Sequence, residues 1–203
     1  RRYIDLAIPL RQAKANTSVP LYYQTDTHWT PLGAGIAFRY FAEFVAASQP
    51  GLNGLADSQF SVQQSWSKPA GDLATFLRLH QDLTDTEIKI KAYDYPTTIT
   101  RYDFTSGKKL YEGANIPLLT PFEPERIISS QALNQSRVLW LRDSFGTALS
   151  PLMAATFSDT VQIFQQIALQ KPARFIGLVQ QFKPEYVFIT VVERDSRQPV
   201  FPN

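Results

Sequence analysis

Two short clusters in this chain carry residue types that do chemistry together. Asp26-Thr27-His28-Trp29 lies near the start, and Arg142-Asp143-Ser144-Phe145-Gly146 follows more than a hundred residues later. A histidine two residues from an aspartate is a general base with a carboxylate to orient its ring, and a serine is the group such a base activates. His28 is one of two histidines in the chain and the credible base, because imidazole titrates near neutral pH. Each half also has a purely structural reading. An Asp-x-His loop often serves as a hydrogen-bonded pair, and a serine at the start of a helix often caps it.

The elements that must position these residues follow from the local pattern. Thr30-Pro31 is an N-cap followed by a first helical residue, and the spacing predicts a helix from Pro31 to about Ser48. Its apolar face would carry Ile36, Ala37, Tyr40, Phe41, Phe44 and Val45, so Asp26 and His28 sit on the loop that enters it. Residues 50 to about 126 read differently. Segments such as Glu87–Tyr93 have β character, turns such as Ser106-Gly107 divide them, and one short helical piece is expected at Asp72–Leu79, with His80 just beyond it. This stretch reads as a β-rich insertion.

The last third alternates. Strands are expected at Arg137–Leu141, Thr160–Phe164 and Tyr186–Val192, with helices at Phe145–Phe157 and Ala173–Gln181 between them. That rhythm implies parallel strands with crossover helices, and the unbroken apolarity of the last strand implies burial on both faces. Ser144 then falls where a strand turns into a helix. The N–H groups and dipole of the helix start favour negative charge there, and a donor aimed at an oxyanion is worth about 3–4 kcal/mol.

Composition sets the outer limits. With 203 residues, 44% of them hydrophobic and 13% aromatic, the chain has the material for one domain with a core. Its 20 basic and 18 acidic residues give a net charge of +2 without a basic stripe, so no nucleic-acid partner is expected. No apolar run approaches the roughly 20 residues of a membrane span. There is no cysteine, which removes disulfides, zinc–thiolate sites and a cysteine nucleophile at once. A zinc site needs about three protein ligands with histidine prominent, so with two distant histidines neither a metal nor another cofactor is expected. The chain opens on Arg1, so its start says nothing about export.

The run Tyr22-Tyr23-Gln24-Thr25-Asp26-Thr27-His28-Trp29-Thr30-Pro31-Leu32-Gly33 resembles the D-x-H-W block of the alginate O-acetyltransferase family. Leu141-Arg142-Asp143-Ser144-Phe145-Gly146 resembles its serine block, Val192-Glu193-Arg194 its closing V-E-R element, and Gly71-Asp72-Leu73 a further short block. The four occur in the family's order. The resemblance implies a single α/β domain over residues 1–203 of the SGNH hydrolase-like type. Such a domain has three α/β/α layers, a mostly parallel sheet and, here, the β-rich insertion at about 50–126; a strand preceding Arg1 is also implied. It implies Ser144 as nucleophile, His28 as base and Asp26 as its partner.

It further implies a periplasmic enzyme that acetylates an exopolysaccharide such as alginate, with the acetyl donor delivered by a membrane partner. Arg142 stands where the simplest serine block has glycine, which would place a cation beside the substrate. Trp29, Tyr23 and Arg194 join it as candidate substrate contacts. The oxyanion donors would be Ser144 itself and an amide of Gln166 or Gln165. Two rival functions use the same residues: a carbohydrate acetylesterase with water as acceptor, and a non-catalytic polysaccharide-binding subunit of a secretion complex.

Overall fold

The computed structural model describes residues 3–197. The chain divides into two compact units, one reaching Tyr95 and the other starting at Pro96.

In the first unit, α1 (Ala7–Ala15) packs on α2 (Pro31–Ala46). The start of α2 is built as its sequence dictates. Thr30 Oγ1 accepts the Gly33 N–H at 3.3 Å, and Pro31 occupies a position where a missing N–H costs nothing. Gly33 is required by close approach, since a Cβ there would fall on the Leu21 carbonyl. The buried part of α2 differs from the expected stripe. Residues 31–35, 37 and 38 are buried, whereas Tyr40, Phe41, Phe44 and Val45 are half-buried. The first two turns are enclosed on nearly all sides because the His28 loop and the strand that follows close over them. That strand pairing consists of β1 (Val62–Pro69) and β2 (Thr84–Ile90), an antiparallel pair with α3 (Asp72–Phe76) between them in sequence. Ile88 and Ile90 of β2 are buried, and α2 packs against this strand.

The second unit is a sheet with helices. Its strands are β3 (Thr98–Asp103), β4 (Lys109–Ala114), β5 (Glu125–Ser129) and β6 (Asn134–Arg142). α4 (Gly146–Thr156) leads to β7 (Phe157–Phe164), then α5 (Gln165–Gln170), α6 (Pro172–Phe182), β8 (Tyr186–Ile189) and the short α7 (Glu193–Ser196). Among the described residues the strand order is β4-β3-β5-β7-β6-β8. β6 lies between β7 and β8 and parallel to both, as the strand–helix–strand rhythm requires.

The expectation of a mostly parallel sheet is corrected here. The β3–β4, β3–β5 and β5–β7 pairings are antiparallel, so the sheet is mixed and mainly antiparallel. Strands β3 and β4 lie in the stretch read as an insertion and β5 begins at its end, and the three extend this sheet beyond β7. A tight turn joins β3 to β4, with Gly107 at φ +71°, and a connection that short permits only antiparallel neighbours. Burial of β8 is also less than its apolarity implied. It lies at the end of the strand order, ends at Ile189, and leaves Val187 and Ile189 exposed. The core gathers Leu139, Leu141, Val161 and Ile163 of β6 and β7 under Ala168, Leu178 and Phe182 of the helices.

Candidate active site

Asp26, His28, Tyr23 and Trp29 belong to the first unit, and Ser144, Arg142, Gln165, Gln166 and Arg194 to the second. Each group is built by its own unit.

The histidine group rests on a loop fixed from several sides. His28 Nδ1 lies 2.6 Å from Asp26 Oδ1, and the same oxygen accepts the His28 backbone N–H at 2.9 Å. One carboxylate oxygen therefore sets both the ring and the backbone of His28. Burial pushes the Asp26 carboxyl up. The His28 ring and N–H, with the Asp72 N–H on Oδ2 at 3.4 Å, outweigh it and hold Asp26 below the ordinary carboxylate range.

Asp72 is a residue that spacing arguments missed as part of this group. Its carboxylate accepts the Thr27 N–H at 2.8 Å and the Thr27 hydroxyl at 2.7 Å. Thr25 is held in parallel by Asp85, which accepts its N–H at 2.8 Å and its hydroxyl at 2.7 Å. Two carboxylates thus grip the residues on either side of Asp26. The one signal for Asp72 in the sequence is the Gly71-Asp72-Leu73 block.

The glycine of that block has its own reason. A Cβ on Gly71 would fall onto the Asp26 carboxylate. Gly71→Ala is therefore expected to cost about 1–3 kcal/mol of overpacking and to push Asp26 off the His28 ring. A denaturant titration measures the first effect and loss of the hydrogen-bonded Nδ1 proton resonance the second. A variant that keeps both at wild-type values refutes this account of the glycine.

Asp26, His28 and Asp72 each offer one ligand atom within 4.8 Å of the others, so these three residues could approach a metal ion together. Their oxygens are committed differently, since Asp72 grips Thr27 and Asp26 grips His28. The cluster is accounted for as a hydrogen-bonded brace.

Tyr23 donates its hydroxyl to Glu87 Oε1 at 2.5 Å and carries Lys68 over its ring at 4.2 Å, with Lys68 Nζ also 2.9 Å from Glu87. Burial and the Glu87 partner both push the Tyr23 hydroxyl pKa up, so this residue is a structural donor. Trp29 is 8% exposed and lies in the core. Neither presents the open aromatic face that a substrate contact needs.

The serine group begins at the end of β6. Ser144 is exposed, and α4 starts two residues later. Gly146 lets the helix start crowd the strand end, since a Cβ there would lie 2.5 Å from Arg142 Cδ and 3.0 Å from the Trp140 ring. The expected pool of open N–H donors is smaller than the helix start implied. Phe145 N–H is taken by Asp143 Oδ1 at 2.9 Å, Gly146 N–H by the Asp143 carbonyl at 3.1 Å, and Thr147 N–H by the Ser144 carbonyl at 3.0 Å. These bonds stiffen the turn instead.

Arg142 departs most from its expected role. It is 0% exposed, and its guanidinium donates to Gln162 Oε1, Thr120 Oγ1 and the carbonyls of Leu118 and Leu119, each at 2.8 Å. A guanidinium enclosed this way has no face for a substrate. Burial pulls its pKa down to about 9, which leaves it cationic at neutral pH.

Asp143 is buried beside it, and that burial pushes its carboxyl up, against the pull of its two N–H donors. Besides Phe145, it accepts the Val192 N–H on Oδ2 at 2.6 Å. The V-E-R element is thereby tied to the serine turn through its first residue, while Arg194 itself is exposed on α7. Gln165 is fully buried and Gln166 half-buried at the start of α5. The four sequence blocks thus close into two bonded pairs: Asp26–His28 with Gly71-Asp72, and Arg142–Gly146 with Val192.

Solved structures with this architecture include PatB1 of Bacillus cereus (TM-score 0.61, 15% identity) and a DHHW family protein of Eubacterium siraeum (TM-score 0.62, 17% identity). The alignments cover 95% of this chain in both cases, 70% of the former and 67% of the latter. At these identities the likeness is one of α/β fold alone. Over residues 2–120, more than half its length, the sequence matches the family described as "SGNH hydrolase-like domain, acetyltransferase AlgX". The chain belongs to that family.

Probable alginate O-acetylases AlgJ are among its relatives. The one from Pseudomonas putida is 41% identical over 75 residues, covering 37% of this chain and 19% of that protein. The one from Pseudomonas syringae is 42% identical over 76 residues, covering 37% and 18%. The match therefore spans about a fifth of the length of these curated relatives.

Proposed function

We propose that this chain is one SGNH hydrolase-like domain, residues 1–203 with a β-rich insertion at about 50–126, and that it transfers acetyl groups to hydroxyls of an exopolysaccharide through an acetyl-serine. The observation that carries the reading is the Asp26–His28 pair, with Nδ1 committed to a carboxylate at 2.6 Å. That bond sets the tautomer in which Nε2 is the basic nitrogen. Ser144, exposed on a stiffened strand-to-helix turn, is the nucleophile.

In the first half-reaction His28 Nε2 takes the Ser144 proton as Oγ bonds to the acetyl carbonyl carbon. The donor's leaving group departs with that proton. In the second, His28 takes the proton of a sugar hydroxyl, the sugar oxygen bonds to the acetyl carbon, and Ser144 leaves with the proton restored. The Ser144 N–H and the Gln166 amide are the donors assigned to the oxyanion, and Arg194 is assigned to acceptor binding. In this reading the domain works in the periplasm and receives acetyl from a membrane-bound partner; its relatives' naming as probable alginate O-acetylases supports the acetyl transfer itself. Among the described residues no helix is long and apolar enough to cross a membrane.

Intact-mass spectrometry after incubation with p-nitrophenyl acetate tests the mechanism. One acetyl adduct is expected on the wild-type protein and none on Ser144→Ala or His28→Ala. No wild-type adduct, or an adduct that survives Ser144→Ala, overturns the reading. Adding a glycan acceptor separates transfer, which yields acetylated sugar, from esterase action, which yields acetate.

A further inference from the structure

The Asp143 carbonyl belongs to the peptide bond that carries the Ser144 N–H, and it collects three donors. Thr120 Oγ1 donates to it at 2.9 Å, the Gly146 N–H at 3.1 Å and Arg142 Nη1 at 3.3 Å. The Gly146 N–H alone closes the turn, so the two side-chain donors call for a reason of their own.

Those two form one relay. Arg142 Nη1 also donates to Thr120 Oγ1 at 2.8 Å. A guanidinium only donates, so in this bond the Thr120 oxygen accepts and its own proton is left for the Asp143 carbonyl. The relay starts from a charge, because Arg142 is 0% exposed and stays cationic at neutral pH. Water screens an enclosed guanidinium little, and hydrogen bonds headed by a charge are stronger than neutral ones.

A peptide bond shares electron density between its oxygen and its nitrogen by resonance. Donors on the oxygen draw density away from the nitrogen and make the N–H of the same peptide more positive. Cooperative strengthening of this kind is roughly 10–30% per bond. The N–H polarised here is that of Ser144, the group assigned above to the oxyanion.

We infer that Thr120 and Arg142 are positioning residues of the acyl site that act through the Asp143–Ser144 peptide: their hydrogen bonds to its carbonyl make the Ser144 N–H a stronger donor to the acetyl oxyanion. The inference rests on the acetyl-transfer reading above. It deepens that reading by giving a buried cation, which has no face for a substrate, a part in stabilising the tetrahedral intermediate.

The test compares the wild-type protein with Thr120→Val and Thr120→Ala, which remove the hydroxyl, and Thr120→Ser, which keeps it. Circular dichroism confirms the fold of each. Acylation is followed with p-nitrophenyl acetate and with its thiono counterpart, in which sulfur replaces the carbonyl oxygen and accepts hydrogen bonds poorly. An oxyanion donor is worth ~100–1,000-fold in rate, so weakening it by the fraction above is expected to lower kcat on the oxygen ester about fivefold, with KM unchanged. Little loss is expected on the thiono ester, and Thr120→Ser is expected to recover most of the oxygen-ester rate. A residue that only holds the turn in shape would slow both esters alike. Equal losses on the two esters overturn the inference, as do valine and alanine variants that acylate at the wild-type rate.

Nuclear magnetic resonance reads the peptide without turnover. The Asp143 carbonyl carbon of the wild-type protein is expected downfield of its random-coil position, and an upfield value overturns the inference whatever the variants do. In Thr120→Val and Thr120→Ala that carbon and the Ser144 amide nitrogen are both expected to move upfield; unchanged resonances overturn it too. Absence of an acetyl adduct on the wild-type protein sinks the acetyl-transfer reading itself. An adduct accompanied by equal losses on the two esters sinks this inference alone.

Discussion

Asp26→Asn is expected to lower the acetyl-transfer rate about 10,000-fold while the domain stays folded. The carboxylate does three things at once: it sits 2.6 Å from His28 Nδ1, accepts the His28 N–H at 2.9 Å, and accepts the Asp72 N–H at 3.4 Å. An asparagine keeps the shape but loses the charge that stabilises an imidazolium. Its amide can also turn a donor toward Nδ1, which selects the wrong tautomer. Single-turnover acetylation of Ser144, followed by mass, measures the loss; circular dichroism confirms the fold. A fall of less than about tenfold would show that His28 is not oriented by Asp26.

The same residue predicts an acid limb in stability. Its pKa is held below the unfolded value, so its stabilising contribution is complete above about pH 4 and is lost as pH falls through the folded value. Asp85 is depressed in the same direction and adds to that limb. Asp26→Asn should flatten the acid side of the denaturant-midpoint profile, and an unchanged slope would contradict the direction assigned to Asp26.

Arg142→Met is expected to destabilise the second unit by about 3–5 kcal/mol. Methionine fills much of the space but donates nothing, so the carbonyls of Leu118 and Leu119, Gln162 Oε1 and Thr120 Oγ1 lose a donor in the interior. Thr120 also donates to the Asp143 carbonyl at 2.9 Å, so loosening it reaches the residue before Ser144. Arg142→Lys should recover part of the loss, because an ammonium keeps the charge and three donors but not the planar fork. Chemical denaturation of the three proteins decides it. A methionine variant within about 1 kcal/mol of wild type would mean that the loop carries little of the stability.

The serine element and the entry to α2 were legible because their causes are local. Thr30, Pro31 and Gly33 act within one helical turn, and the strand-to-helix change at Ser144 follows from hydrophobic period. The parallel trio of β7, β6 and β8 was legible for a similar reason, since each crossover lies between the strands it joins. The antiparallel half was not. Nothing in the pattern of residues 98–129 distinguishes a hairpin in a separate lobe from a hairpin that adds to a sheet; only the pairing of Glu125–Ile128 with Asp159–Gln162 decides that. The apolarity of β8 was misleading, because a run without alternation fits an end strand as well as a central one once helices cover one side.

By itself the chain determined which chemistry was available. With one histidine beside an aspartate, a serine on a turn and no cysteine, nucleophilic acyl chemistry was the reading its residue types favoured. Tertiary structure decided which side chains are enclosed in the frame and which stay exposed. Thr27 and Asp72 are 45 residues apart, and Asp143 and Val192 are 49 apart, yet each pair shares a hydrogen bond. Arg142 reads as a turn residue or a cation near the substrate until the Leu118–Thr120 segment wraps it. Burial and long-range partners are properties of the folded chain, and a charge or an aromatic ring takes its role from them.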